Sequence, residues 1–224
     1  METMSCDYNT YERLKDKCDP DYWFRWIRED LISSIREYDE EAAEEVESWV
    51  DCTSSFLNRY MKFAAGCMRD DELYKFYNDV LKLIDNGIKS REWQKSLVDD
   101  QVTEAEEYYW DEVITEDEFE DIKRAAEDVK AALDADIELL EELKEFCVKA
   151  RDRTDVVVCI EKVASMSHSR GSILPVMCGA YLPEDIVEAE TGWEREYEYT
   201  RPEDVGLWLS KDVPNVLECI KEFK

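Results

Sequence analysis

The chain has 224 residues, 44% hydrophobic and 12% aromatic, which is enough apolar surface for a core and excludes intrinsic disorder. Its 57 Asp and Glu against 28 Lys and Arg give a formal net charge of −29 and a pI near 4.3. Such a surface repels nucleic acid and anionic membranes and attracts basic proteins and cations, so neither direct nucleic-acid binding nor membrane binding is expected.

In chain order, the first two-thirds read as successive amphipathic helices. Asp19 is placed to cap a helix whose first position is Pro20, where the missing N–H costs nothing. Its apolar stripe is Trp23, Ile27, Leu31 and Ile35, at steps of four. A second helix carries Val46, Trp49, Val50, Thr53, Phe56, Leu57 and Tyr60 and stops at Gly66. A third carries Leu73, Phe76, Val80 and Ile84 and is expected to end at Asn86-Gly87. Two short helices follow, one with Trp93 and Leu97, the other opened by a capping box at Thr103 and Glu106. A long helix then opens on Thr115 and Glu118. Its stripe of Phe119, Ile122, Ala126, Val129, Leu133, Ile137, Leu140 and Cys147 has the spacing of a coiled-coil-like seam.

The texture changes near Thr154. "TDVVVCIEKVA" is a continuous β-branched run and reads as a buried strand. "ILPVMCGAYL" reads as a second strand, and the alternating "GWEREYEYT" as a third, half-exposed one. "RPEDVGLWLS" and "DVPNVLECIKEFK" each read as a short helix begun by proline. The expected fold class is therefore mainly α. It consists of an N-terminal helical bundle with a long amphipathic acidic helix over residues 1–152, followed by a small α+β module over 153–224.

The eight cysteines lie at positions 6, 18, 52, 67, 147, 159, 178 and 219, with no C-x-x-C pair. The first 17 residues are polar, without a hydrophobic signal segment, so the thiols are expected to be reduced and the protein cytoplasmic.

His168 is the only histidine. This removes HExxH zinc chemistry and di-metal sites built on two Glu-x-x-His motifs. No phosphate-cradling glycine loop occurs, and "SMSHSRGS" reads as a loop. No catalytic residue, metal ligand or cofactor is assigned, and the expectation is a protein that is not an enzyme. One alternative is kept. Glu40, Glu41, Glu44 and Glu45 sit at helical spacing and can share Mg²⁺, and their pattern resembles the E-E-x-x-E of all-α nucleotide pyrophosphohydrolases. That resemblance implies an E-x-x-D on a later helix. The candidate is Glu118 with Asp121, roughly seventy residues on, so a solvated helix face outweighs the hydrolase reading.

The informative stretch is "EAEEYYWDEVITEDEFED", residues 104–121, which holds no Lys or Arg. Like charges at helical spacing destabilise a helix, so plain solvation, bound cations or a basic partner must make the cost tolerable. Between Asp99 and Glu145, 20 acidic residues face four basic ones. As one helix this would span roughly 70 Å, with a carboxylate per about 3.5 Å, near the phosphate spacing of one DNA strand. The candidate partner-binding residues are Glu104, Glu106, Glu107, Tyr108, Trp110, Asp111, Glu112, Glu116, Asp117, Glu118, Glu120 and Asp121. The expected function is inhibition by nucleic-acid mimicry, as in anti-restriction or anti-CRISPR proteins, by analogy of charge and fold. The expected partner is a basic protein, such as a nucleic-acid-handling enzyme or complex. A non-enzymatic structural or interaction domain is the other alternative, and a homodimer is left open.

Overall fold

The computed structural model describes residues 8–180 and 200–222, and all regular structure among them is helical. The helices are α1 (Tyr8–Cys18), α2 (Pro20–Trp23), a π-helical turn (Ile27–Ile32), α3 (Ser33–Arg36), α4 (Glu40–Ala64), α5 (Asp70–Trp110), α6 (Glu116–Val148), α7 (Arg153–Ser169), α8 (Ile173–Met177) and α9 (Pro202–Lys221). Asp19 caps α2 by accepting from the Asp21 N–H at 3.1 Å, and Asp39 caps α4 by accepting from the Ala42 N–H at 3.0 Å. Gly66, at φ 69°, follows the end of α4 as expected. Between residues 21 and 36 the buried residues are Phe24, Ile27, Ile32 and Ile35 rather than a strict run of fours. The step of five from Ile27 to Ile32 is the i→i+5 spacing of the π turn, which turns Leu31 partly outward.

The expected stop at Asn86-Gly87 is corrected, because α5 runs on without a break to Trp110. Gly87 marks a close approach instead. A Cβ there would lie 3.1 Å from Met177 Cγ and 3.2 Å from Leu140 Cδ1, so a larger residue would push α6 and α8 back by a few tenths of an ångström. The Thr103 capping box is corrected too. Thr103 lies inside α5 and its hydroxyl donates to the Asp99 carbonyl at 3.0 Å. The Thr115 capping box holds, with the Thr115 side chain accepting from Glu118 N–H and the Glu118 carboxylate accepting from Thr115 N–H.

Helices α5 and α6 form an antiparallel pair. The buried positions on α5 are Val80, Ile84, Gly87, Arg91, Gln94, Val98 and Ala105, so Trp93 and Leu97 are not its core face. On α6 they are Ile122, Ala126, Leu133, Leu140, Leu143 and Cys147. Both series keep the three-and-four rhythm of a coiled-coil seam, as expected for α6. Cross-pair salt bridges fix the register: Lys144 meets Asp85 at 2.7 Å, Lys95 meets Asp134, and Lys130 meets Asp99.

One layer of that seam is polar. Arg91, with its side chain 5% exposed, reaches Asp136 at 2.6 Å, while its other terminal nitrogen donates to Gln94 Oε1 at 2.6 Å. Burial pulls the Arg91 pKa down, against the opposing pull of Asp136. Removing Arg91 leaves Asp136, whose side chain is 21% exposed, with only the longer contact to Arg170 at 3.7 Å. Arg91→Met is therefore expected to cost about 3 kcal/mol, read as a lower urea midpoint at constant m, while Arg91→Met with Asp136→Leu recovers most of it. A double variant no better than the single one would show that the layer does not act as a pair.

The α+β module is corrected: no strand occurs among the described residues. "TDVVVCIEKVA" lies in α7, capped by Asp152, which accepts from Thr154 N–H at 2.8 Å and Asp155 N–H at 3.0 Å. Val156, Cys159, Ile160, Val163, Ala164 and Ser167 are its buried face, a helical rhythm hidden inside a continuous apolar run. Residues 173–177 of the second expected strand form α8, and the third expected strand falls outside the described residues apart from Thr200. The two expected C-terminal helices are one, α9, with Pro214 inside it. Pro214 has no N–H for the Ser210 carbonyl, and Gly171 packs against that carbonyl so closely that a Cβ would lie 1.8 Å from it.

Residues on both sides of position 152 share one buried cluster, including Val46, Leu57, Phe76 and Leu140 with Ile160, Val205 and Leu209. The expectation of reduced thiols is corrected as well. Cys18 is bonded to Cys219 and Cys147 to Cys159, and Cys67 is also in a disulfide. No helix among the described residues is long and apolar enough to cross a membrane.

Candidate partner-binding arm

Beyond the main core, α5 and α6 continue together as a two-helix arm with a second, small core. It consists of Val98, Ala105, Ile114, Ile122, Ala126 and Leu133, with Val102, Tyr108, Tyr109, Phe119 and Val129 against it. Every one of these residues belongs to α5, α6 or the turn between them. The arm is therefore held by its own seam, and its remaining circumference faces outward.

The three adjacent aromatics divide their roles. Tyr109 turns inward and stacks on Phe119, with ring centroids 5.3 Å apart at 9°. Tyr108 is half-buried, and its hydroxyl donates to Glu104. Trp110 is 71% exposed, leans on Tyr109 at 5.4 Å, and points its indole N–H toward Glu106 at 3.5 Å. Beside it, Val113 is 55% exposed. An apolar spot thus sits at the tip inside a ring of carboxylates.

The turn itself is a Schellman motif. Val113 N–H reaches the Tyr108 carbonyl at 2.8 Å and Glu112 N–H reaches Tyr109 at 3.1 Å. The residue it places in the left-handed region is Glu112, at φ 58°. Glycine is the usual occupant, and a residue with a Cβ pays roughly 1 kcal/mol there.

The ten carboxylates of residues 104–121 come together on this tip. Glu120 pairs with Lys123, and Asp121 pairs with Arg124 at 2.9 Å. Glu118 is spent on the Thr115 cap, which lowers its pKa through the backbone and side-chain hydrogen bonds to Thr115. Glu104, Glu106, Glu107, Asp111, Glu112, Glu116 and Asp117 are exposed and make no salt bridge among the described residues. The sequence reading missed Val113 and the outward acids Asp100, Glu127 and Asp128, which only the fold-back places on the same arm.

The other candidate residues lie on separate elements. No group of three or more His, Cys, Asp or Glu side chains able to hold a metal ion occurs among the described residues. Glu40, Glu41, Glu44 and Glu45 are exposed at the start of α4, Glu40 pairs with Arg36 at 3.1 Å, and burial together with Glu41 raises the Glu45 pKa. The Glu118 and Asp121 that the hydrolase reading needs lie at the arm's turn, engaged with Thr115 and Arg124. His168 ends α7 and meets Glu218 of α9 at 2.7 Å, beside a cavity of about 250 Å³ also lined by Tyr60, Glu161, Ser165 and Leu217.

The class defined by this geometry is a mainly helical, disulfide-bonded bundle that carries an acidic two-helix arm. No known protein family, characterised protein or solved structure matches the chain.

Proposed function

We propose that the protein is an inhibitor that binds the basic, nucleic-acid-binding surface of another protein through the α5–α6 arm. It acts as a charge mimic and not as an enzyme, and needs no cofactor. The carrying observation is the density of charge on a rigid support. Fifteen carboxylates lie between Asp99 and Asp134, against Lys123, Arg124 and Lys130. Folded back, they occupy about 28 Å of helix axis, or one per roughly 2 Å. Duplex DNA, both strands counted, carries a phosphate per about 1.7 Å. Net of Lys123, Arg124, Lys130 and the cross-paired Lys95, the two antiparallel helices carry one charge per roughly 2.5 Å, between the density of a single strand and that of a duplex.

The tip supports the same reading. Glu112 keeps a carboxylate at a backbone position that favours glycine, and Trp110 supplies an exposed aromatic of the type that anchors interfaces. A partner of this kind would pair its Lys and Arg with the arm, releasing counterions as it does on nucleic acid.

Two measurements test the proposal. The protein, immobilised, should capture a nucleic-acid-handling partner that is released both by salt and by competing duplex. Partner binding that neither salt nor duplex displaces sinks the mimic reading. Glu112→Gly is expected to raise stability by about 1 kcal/mol while weakening the complex, because it relaxes the turn and deletes an apical charge.

A further inference from the structure

Five of the seven described cysteines are in disulfides, and the two that remain, Cys52 and Cys178, lie against each other. Cys52 is in the middle of α4, and Cys178 directly follows α8. Helices α4 and α8 are packed together, and Gly179 turns the chain at φ 102° where a Cβ would lie 3.5 Å from the ring of Trp49. Trp49 is one turn before Cys52, so the chain after α8 packs on the same stretch of α4 that carries Cys52. The two side chains are close enough that each shifts the other's pKa. The buried Thr53 hydroxyl, which neighbours Cys178, has no hydrogen-bond partner among the described residues.

We propose that Cys52 and Cys178 are an oxidisable dithiol that closes to a disulfide between α4 and the end of α8. The pair has two features of a working exchange site. The neighbouring Cys178 lowers the Cys52 pKa, while burial pushes Cys178 up, so Cys52 is the attacking thiolate and Cys178 the resolving thiol. Cys52 also lines a surface hollow of about 270 Å³ with Ser55, Arg59 and Asn86, which gives a small disulfide access.

The chemistry balances with a low-molecular-weight disulfide such as oxidised glutathione as the oxidant. The Cys52 thiolate attacks one sulfur, and the oxidant's S–S bond breaks to release one small thiol. Cys178 then loses its proton and attacks the Cys52 sulfur of the mixed disulfide, releasing the second small thiol. Two protein thiols and one small disulfide become one protein disulfide and two small thiols.

The test is differential alkylation and non-reducing peptide mapping of the full chain, before and after incubation with oxidised glutathione. Wild type is expected to lose alkylation at both positions together and to yield a Cys52–Cys178 linked peptide, either as purified or after oxidation. Cys178→Ser should instead stop at a glutathione adduct on Cys52. Wild type in which Cys52 and Cys178 stay separately alkylatable, or carry separate adducts, while Cys147–Cys159 remains intact in the same sample, overturns the proposal.

Discussion

Reversing Glu104, Glu107, Asp111 and Glu112 to Lys is expected to weaken binding to the basic partner by on the order of 10²–10⁴-fold, with the fold intact. All four are exposed and none makes a salt bridge among the described residues, so the bundle loses nothing except the Glu104 acceptance from Tyr108. Net charge would change from −29 by +8 to −21. Each reversal replaces an attraction with a repulsion of about 1 kcal/mol, and four together give the stated range. The control carries the same change elsewhere, at Glu37, Glu41, Glu44 and Glu222, which are also exposed. It should slow association several-fold through the loss of long-range steering and leave dissociation almost unchanged. Equal losses in both variants would mean that net charge, and not the arm, governs the encounter. Full binding by the folded arm variant would remove this surface from the interface.

Reduction of the Cys18–Cys219 disulfide is the second large effect expected. This bond ties α1 to α9 across a sequence separation of 201 residues. Closing so long a loop restricts the unfolded chain by an amount worth about 5 kcal/mol, against about 3 kcal/mol for the loop closed by Cys147–Cys159. For a chain of this size, loss of the long bond lowers Tm by roughly 10–20 °C. Cys18→Ser with Cys219→Ser should reproduce most of the change produced by a phosphine reductant. Equal melting of reduced and oxidised protein would show that the packing of α1 against α9 holds these ends without the bond. Disulfides of this kind persist in oxidising compartments, and inside cells only in disulfide-tolerant settings, so a cytoplasmic address holds only in the latter.

Much of the helical region was legible because local chemistry governs it. Asp19 and Thr115 cap their helices by bonding backbone N–H groups within three residues, so their effect is written in the adjacent sequence. The α6 seam was legible for the same reason, since a three-and-four spacing is a property of one strand of sequence. The misreadings share a cause. Gly87 looks like a terminator until Leu140 and Met177 are seen to need the space. The valines of α7 look like a strand until helical burial is seen to use Val156 and leave Val158 out. β-propensity is a weak preference of order 1 kcal/mol, and packing against the core overrides it.

By itself, then, the sequence determined the mainly helical class, the −29 charge and the acidic stretch at residues 104–121. The tertiary structure decided three further things. It folded α5 against α6, doubling the linear density of carboxylates. It turned Trp110 outward while Tyr109 packed on Phe119. It also paired cysteines as far apart as Cys18 and Cys219 and set Cys52 beside Cys178. Composition and periodicity are sums over neighbours in the chain, whereas these three depend on which distant residues share a core, and only the folded chain specifies that.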